Sequence, residues 1–186
     1  MGDAGSNPVS RWVERHARLI PAGPVLDLAC GGGRHARHLA ALGHPVLALD
    51  RDADALRRAQ GPGIVTMQAD LEAPDAHWPF LPGRLAGVVV TNYLHRPLFD
   101  DIAAALAPHG VLIYETFAAG NERFGKPSNP AFLLAPGELL QVAARHGLTV
   151  LAYEEGRVDG PRPAMLQRLC AAGPAFARLE GPLALV

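Results

Sequence analysis

The chain has 186 residues, the length of one ordinary domain, enough to bury roughly 70% of the surface its unfolded form exposes. Its 17 basic and 18 acidic residues nearly cancel, which removes the basic footprint of a protein that lives on phosphate backbones or anionic lipid. Cys30 and Cys170 are too few for a disulfide framework; no apolar run approaches the ~20 residues needed to cross a bilayer, and a cytoplasmic protein with neither membrane nor nucleic-acid partners is expected.

The apolar runs "PVLDLA" (24–29) and "PVLALD" (45–50) are bounded by Pro and Gly, as in strands buried on both faces of a parallel sheet. Between them "RHARHLAALG" predicts a helix closed by Gly43. A second helix is expected over 51–60 with Asp52 as its N-cap, and a third strand over 64–70. This β-α-β-α-β order implies a doubly wound sheet. "LAGVVVTN" (85–92) is the most strand-like run; Pro97 then suits the first turn of a helix with Leu98, Ile102 and Leu106 on one face, which "PHG" ends before a fifth strand over 111–117. Residues 118–134 have no clear period, and a long irregular segment in a compact domain is usually a binding loop. Helical spacing returns over 136–147. "LTVLAYEE" and "PAMLQRLCAA" then follow with no room for a helix between them, which predicts an antiparallel pair. The tail from Gly173 is apolar and could pack on a sheet edge or on a second subunit.

The glycines Gly31 to Gly33 mark a sharp strand-to-helix turn, where free backbone N–H groups and the positive end of a helix dipole face a ligand that glycine lets approach. "GGGRHA" also fits the dinucleotide pattern G-x-G-x-x-A, and a ligand-free connection is the bland alternative. Asp50, at the end of the second strand, is placed to accept hydrogen bonds from a ribose diol; the competing role is a helix cap, which Asp52 could fill instead. Two further acids point away from a pyrophosphate. Asp27 lies inside the turn, where its charge repels phosphate and suits an ammonium or a sulfonium. Asp70 ends the third strand within reach of an adenine amino group.

In this order and spacing, "VLDLACGGGRHARHLA", "VLALDRD", "QADLE", "GVVVTN" and "LAPHGVLIYE" resemble the successive motifs of class I S-adenosylmethionine-dependent methyltransferases over residues 24–116. The chain departs from the usual D-x-G-x-G-x-G by carrying Ala29 for the first glycine. The resemblance implies one α/β domain over 1–186: a Rossmann-like doubly wound seven-stranded sheet with an antiparallel C-terminal hairpin, a cofactor-binding half over about 24–92 and a substrate lid over about 117–135. It implies that Asp27, Ala29, Cys30, Gly31 and Gly33 run along the methionine part of S-adenosylmethionine, with Arg34 at its edge. Asp50 would hold the ribose, Arg51 flank the adenine, Asp70 and Leu71 address the adenine edge, and Asn92 lie beside the sulfonium. "CGGGRH" and the closing hairpin are more loosely similar to the tellurite-resistance-type small methyltransferases.

Methyl transfer needs alignment and exclusion of water more than a dedicated base. The ligand crevice lies beyond the carboxyl ends of the strands, so Tyr93 and His95 are the substrate-side catalytic candidates, with Glu115, Phe117, Arg123 and Lys126 as substrate-binding candidates. His35 and His38 stand at i, i+3 with no third ligand placed beside them, so no metal is expected. The expected partner is a small-molecule acceptor. The alternatives are a NAD(P)-dependent oxidoreductase and a non-catalytic S-adenosylmethionine-binding protein.

Overall fold

A computed structural model describes residues 8–160 and 162–176, so the part of the apolar tail beyond Phe176 lies outside the described residues. The strands are β1 (Val25–Leu28), β2 (Val46–Asp50), β3 (Ile64–Gln68), β4 (Leu85–Thr91), β5 (Leu106–Phe117), β6 (Thr149–Val158) and β7 (Ala164–Ala172). Among the described residues five α-helices accompany them: α1 (Arg11–His16), α2 (Arg34–Ala41), α3 (Ala53–Ala59), α4 (Phe99–Ala105) and α5 (Glu138–Arg145). The strands form one sheet in the order β3-β2-β1-β4-β5-β7-β6. β1 to β5 pair in parallel, and β7 lies antiparallel between β5 and β6. This is the Rossmann-like arrangement with a closing antiparallel hairpin that the motif order implies.

The sheet is held from both sides. Every residue of β4 is buried, because its Val-rich sequence has helices over each face. On one face Leu26, Leu28, Val88, Val90, Leu112 and Tyr114 pack against Phe99 and Ile102 of α4 and Leu139 and Val142 of α5. On the other, Val25, Val89, Val111 and Ile113 meet Trp12 and Val13 of α1, Leu39 of α2 and Leu56 of α3. Each such side chain contributes about 1.5–3 kcal/mol on burial, so the central strands are the rigid part of the molecule. Their carboxyl ends are the platform on which a site can stand.

Three local readings change. Helix α1 was not among the expected elements, although Ser10 caps it, its hydroxyl accepting the Trp12 N–H at 3.1 Å, and Trp12 and Val13 are buried beneath it. The indole N–H of Trp12 donates to the Leu169 carbonyl at 3.2 Å, fixing α1 across the C-terminal hairpin. Pro97 belongs to a 3₁₀ turn, Arg96–Leu98, before α4 rather than to an α-helical first turn. "PHG" lies within β5, which starts at Leu106, because the strand continues α4 directly and pairs Leu106 with Leu85.

The irregular segment 118–134 contains two 3₁₀ turns, Asn121–Arg123 and Pro130–Phe132, and is tied down by side chains. Buried Asn121 accepts the Met165 N–H at 3.1 Å and donates to the Pro127 carbonyl at 2.9 Å. Arg96 pairs with both oxygens of Glu138 at 2.7 and 2.9 Å and donates to the carbonyls of Ala131 and Leu133, each at 2.8 Å. Among the described residues no helix is long and apolar enough to cross a membrane.

Candidate functional site

A cavity of about 200 Å³ opens at the carboxyl ends of β1, β2, β3 and β4. Leu28, Leu49, Ala69 and Leu71 give it an apolar floor, with Ala29, Asp50, Arg51, Asp70, Glu72 and Tyr93 around the rim. It sits where the strand order reverses between β2-β1 and β1-β4, the place at which open α/β sheets bind ligands.

The turn after β1 is built by backbone pairing. The Cys30 N–H donates to the Leu49 carbonyl at 3.0 Å, and the Gly33 N–H returns to the Cys30 carbonyl at 3.0 Å. Asp50 completes it: one carboxylate oxygen accepts the Gly31 N–H at 2.7 Å and the other the Asp52 N–H at 2.9 Å. Each oxygen keeps a second acceptor position for a ligand hydroxyl. Capping of α3 falls to Asp52, which accepts the N–H groups of Asp54 and Ala55 at 2.8 and 3.1 Å. Asp50 is therefore released from the capping role that competed with a ligand role.

Asp27 is buried to 1% exposure against α2. One of its oxygens accepts the Ala36 N–H at 2.9 Å, while the other has no hydrogen-bond partner among the described residues. Burial pushes its pKa up to about 7, against the opposing pull of the Ala36 N–H and of Arg34. A carboxylate stranded in this way calls for a cation or a hydrogen-bond donor. At Gly31 φ is +52° and a methyl added there would touch nothing within 4 Å, so the turn is open on that side. The short-handed acid suits a cationic group and disfavours a pyrophosphate.

Ala29 holds φ at +54°, a left-handed conformation that costs an L-residue about 1–2 kcal/mol. Replacing it by glycine removes that strain while adding about 0.5–1 kcal/mol of backbone entropy to be lost. Ala29→Gly is therefore expected to raise unfolding free energy by up to about 1 kcal/mol, read as a higher midpoint in urea at unchanged slope; a lower midpoint contradicts this reading of the turn.

The other anticipated residues divide. Asp70, Leu71, Arg51 and Tyr93 meet in the cavity, joined by Glu72, Leu28, Leu49 and Ala69, which sequence reasoning did not single out. Asn92, with φ at +55°, turns the chain out of β4 and is exposed. Cys30 is a buried thiol whose pKa is driven up by burial and by the carboxylates of Asp27 and Asp50, so it is protonated and donates to the Gly31 carbonyl. Arg34 reaches the Pro8 carbonyl at 3.1 Å and does not line the cavity. Glu115 is taken by Arg168 at 2.6 Å, itself bound to Glu154 at 2.9 Å, so its carboxylate is not free for a substrate. His95 is half-buried outside the cavity; Phe117 is half-buried, and Arg123 and Lys126 are exposed on the 118–134 segment. His35 is neutral and structural: its Nε2 accepts the Ser10 N–H at 3.2 Å, so Nδ1 donates to the Thr91 hydroxyl at 3.2 Å, and burial depresses its pKa to about 3.

Residues 25–110 match the family model described as "Methyltransferase domain". Over those residues the chain is similar to a methyltransferase domain. Over 167 residues it is 30% identical to the uncharacterized methyltransferase YodH of Bacillus subtilis (strain 168), covering 82% of this chain and 65% of that one. TehB from Haemophilus influenzae superposes with a TM-score of 0.68 at 21% identity, over 87% of this chain and 61% of TehB. A S-adenosylmethionine-dependent methyltransferase from Mesorhizobium loti gives 0.65 at 18% identity, over 87% and 97%. At these identities the structural likeness is one of fold. The chain thus spans under two thirds of the length of YodH and of TehB. S-adenosylmethionine, on which the Mesorhizobium loti protein depends, carries an ammonium that would suit the unpartnered Asp27 oxygen.

Proposed function

We propose that this protein transfers a methyl group from S-adenosylmethionine to a small-molecule acceptor. The observation that carries the reading is the cavity at the ends of β1 to β4, with Asp50 on its rim and the unpartnered Asp27 oxygen behind its turn. The near-neutral charge supports a small acceptor over nucleic acid.

When bound, S-adenosylmethionine supplies a methyl group already activated on a sulfonium. The chain's own contribution is positional. Asp50 receives the ribose hydroxyls, Asp70 and Leu71 receive the adenine edge, and Asp27 with the Gly31 turn receives the methionine end. Asn92, where β4 ends, borders the reacting region. The segment 117–135, clasped by Arg96, covers the acceptor side and excludes water, with Arg123 and Lys126 available to an anionic acceptor. His95 offers an imidazole nitrogen there as a proton acceptor. Tyr93 is not: burial and the facing carboxylates of Glu72 and Asp70 push its phenol pKa up.

Titration calorimetry with S-adenosylhomocysteine and with NAD, followed by an acceptor screen scored by S-adenosylhomocysteine formed, tests this. Binding of the first ligand alone, and turnover with a small acceptor, are expected. NAD binding in its place points to an oxidoreductase; cofactor binding without turnover on any acceptor points to a sensor or partner subunit.

A further inference from the structure

Tyr93 follows β4, on the strand end where an acceptor is expected, yet its side chain lines the cavity with Asp50, Arg51, Asp70, Leu71 and Glu72, all from the ends of β2 and β3. Three features put it there. Asn92 takes φ +55° and reverses the chain. The buried Tyr114 hydroxyl then donates to the Tyr93 carbonyl at 2.9 Å, pinning the backbone from the core beneath. Leu94, 7% exposed, anchors the next position in the same core. With the backbone held on both sides, Tyr93 is half-buried and lines the cavity.

We infer that Tyr93 is a specificity-determining wall of the nucleoside slot and not an acceptor-side residue. Its ring offers the aromatic face of a slot whose floor is Leu49, Ala69 and Leu71, a flat apolar sandwich for a purine. Glu72 lies on the same rim. The consequence is selective: a ligand made of the nucleoside alone feels Tyr93, whereas it does not reach the Asp27 end of the turn. This inference rests on the cofactor reading above and sharpens which end of the ligand each residue serves.

The experiment compares S-adenosylhomocysteine and adenosine, titrated into the wild type and into Tyr93→Ala, Tyr93→Leu, Tyr93→Phe and Asp27→Asn. Aromatic stacking on a base makes alanine substitution cost at least about fivefold in affinity. Tyr93→Ala and Tyr93→Leu are therefore expected to weaken both ligands by about fivefold or more, by similar factors. Tyr93→Leu keeps apolar bulk against the core, so the expectation survives if the alanine variant fails to fold. Tyr93→Phe, which keeps the ring, should stay near wild-type affinity for both. Asp27→Asn should weaken S-adenosylhomocysteine and leave adenosine unchanged. Undiminished binding of both ligands by folded Tyr93→Leu overturns the wall role alone, as does a loss confined to S-adenosylhomocysteine. Failure of the wild type to bind S-adenosylhomocysteine overturns the cofactor reading and this inference with it.

Discussion

Gly33→Ala is expected to lose about 2–5 kcal/mol of stability, while Gly31→Ala keeps its fold and loses the cofactor. Both glycines have positive φ, +52° at Gly31 and +75° at Gly33, so each substitution meets the left-handed penalty of about 1–2 kcal/mol. What differs is the neighbourhood. A Cβ on Gly33 would stand 2.6 Å from the Ala59 Cβ and 2.7 Å from its Cα, so α3 has to move away from the start of α2. Overpacking of that kind adds about 1–3 kcal/mol. A Cβ on Gly31 meets open space; under the proposed function the methyl goes where the ligand's methionine end would approach. Denaturant melts of the two variants, with S-adenosylhomocysteine titrations of whichever stays folded, check this. Equal destabilisation of both contradicts the division of labour between packing and binding.

The second large effect is a pH dependence set by Asp27. Its folded pKa of about 7 lies above its ordinary 3.8, so the ligand-free protein holds a proton that the unfolded chain releases between those values. Stability from this group is fully present below pH 3.8 and is lost as pH rises to about 7. His35 has the opposite sign: with a folded pKa of about 3 against 6.5, its contribution is present above pH 6.5 and lost as pH falls towards 3. The two partly cancel in the wild type, so the Asp27 contribution is to be read as the difference from Asp27→Asn. A ligand ammonium prefers the ionised acid. S-adenosylhomocysteine affinity is thus expected to rise up to about tenfold per pH unit below 7 and to level off above it, with Asp27→Asn removing the slope. A pH-independent wild-type affinity, or an unchanged slope in the variant, contradicts the assignment.

The parallel half of the fold was legible because its strands are buried on both faces: "LAGVVVT" can hardly be anything else. The meeting of Asp50 and Asp70 in one cavity was legible for a related reason, since strand ends place them by topology alone. Prediction weakened where position depends on a backbone reversal or on a distant partner. Tyr93 was placed on the acceptor side because nothing in "TNYL" announces the left-handed Asn92 or the Tyr114 hydrogen bond that returns the chain to the cavity. Glu115 was offered as a substrate ligand because its partner Arg168 lies 53 positions away. Arg96 was missed for the same reason, its acceptors being 35 to 42 residues further on. Helix α1 carried a readable signal, Ser10 ahead of buried residues at 12, 13, 16 and 17.

The central proposition is that Asp50, already holding the Gly31 turn, also grips a ribose. Titration calorimetry of S-adenosylhomocysteine into the wild type and into folded Asp50→Ala tests it most directly. One equivalent should bind the wild type, and the variant should bind at least about tenfold more weakly, a loss of ~1.5 kcal/mol, as expected for charge-assisted hydrogen bonds. Equal affinity in the two proteins, or no binding by the wild type, would contradict it.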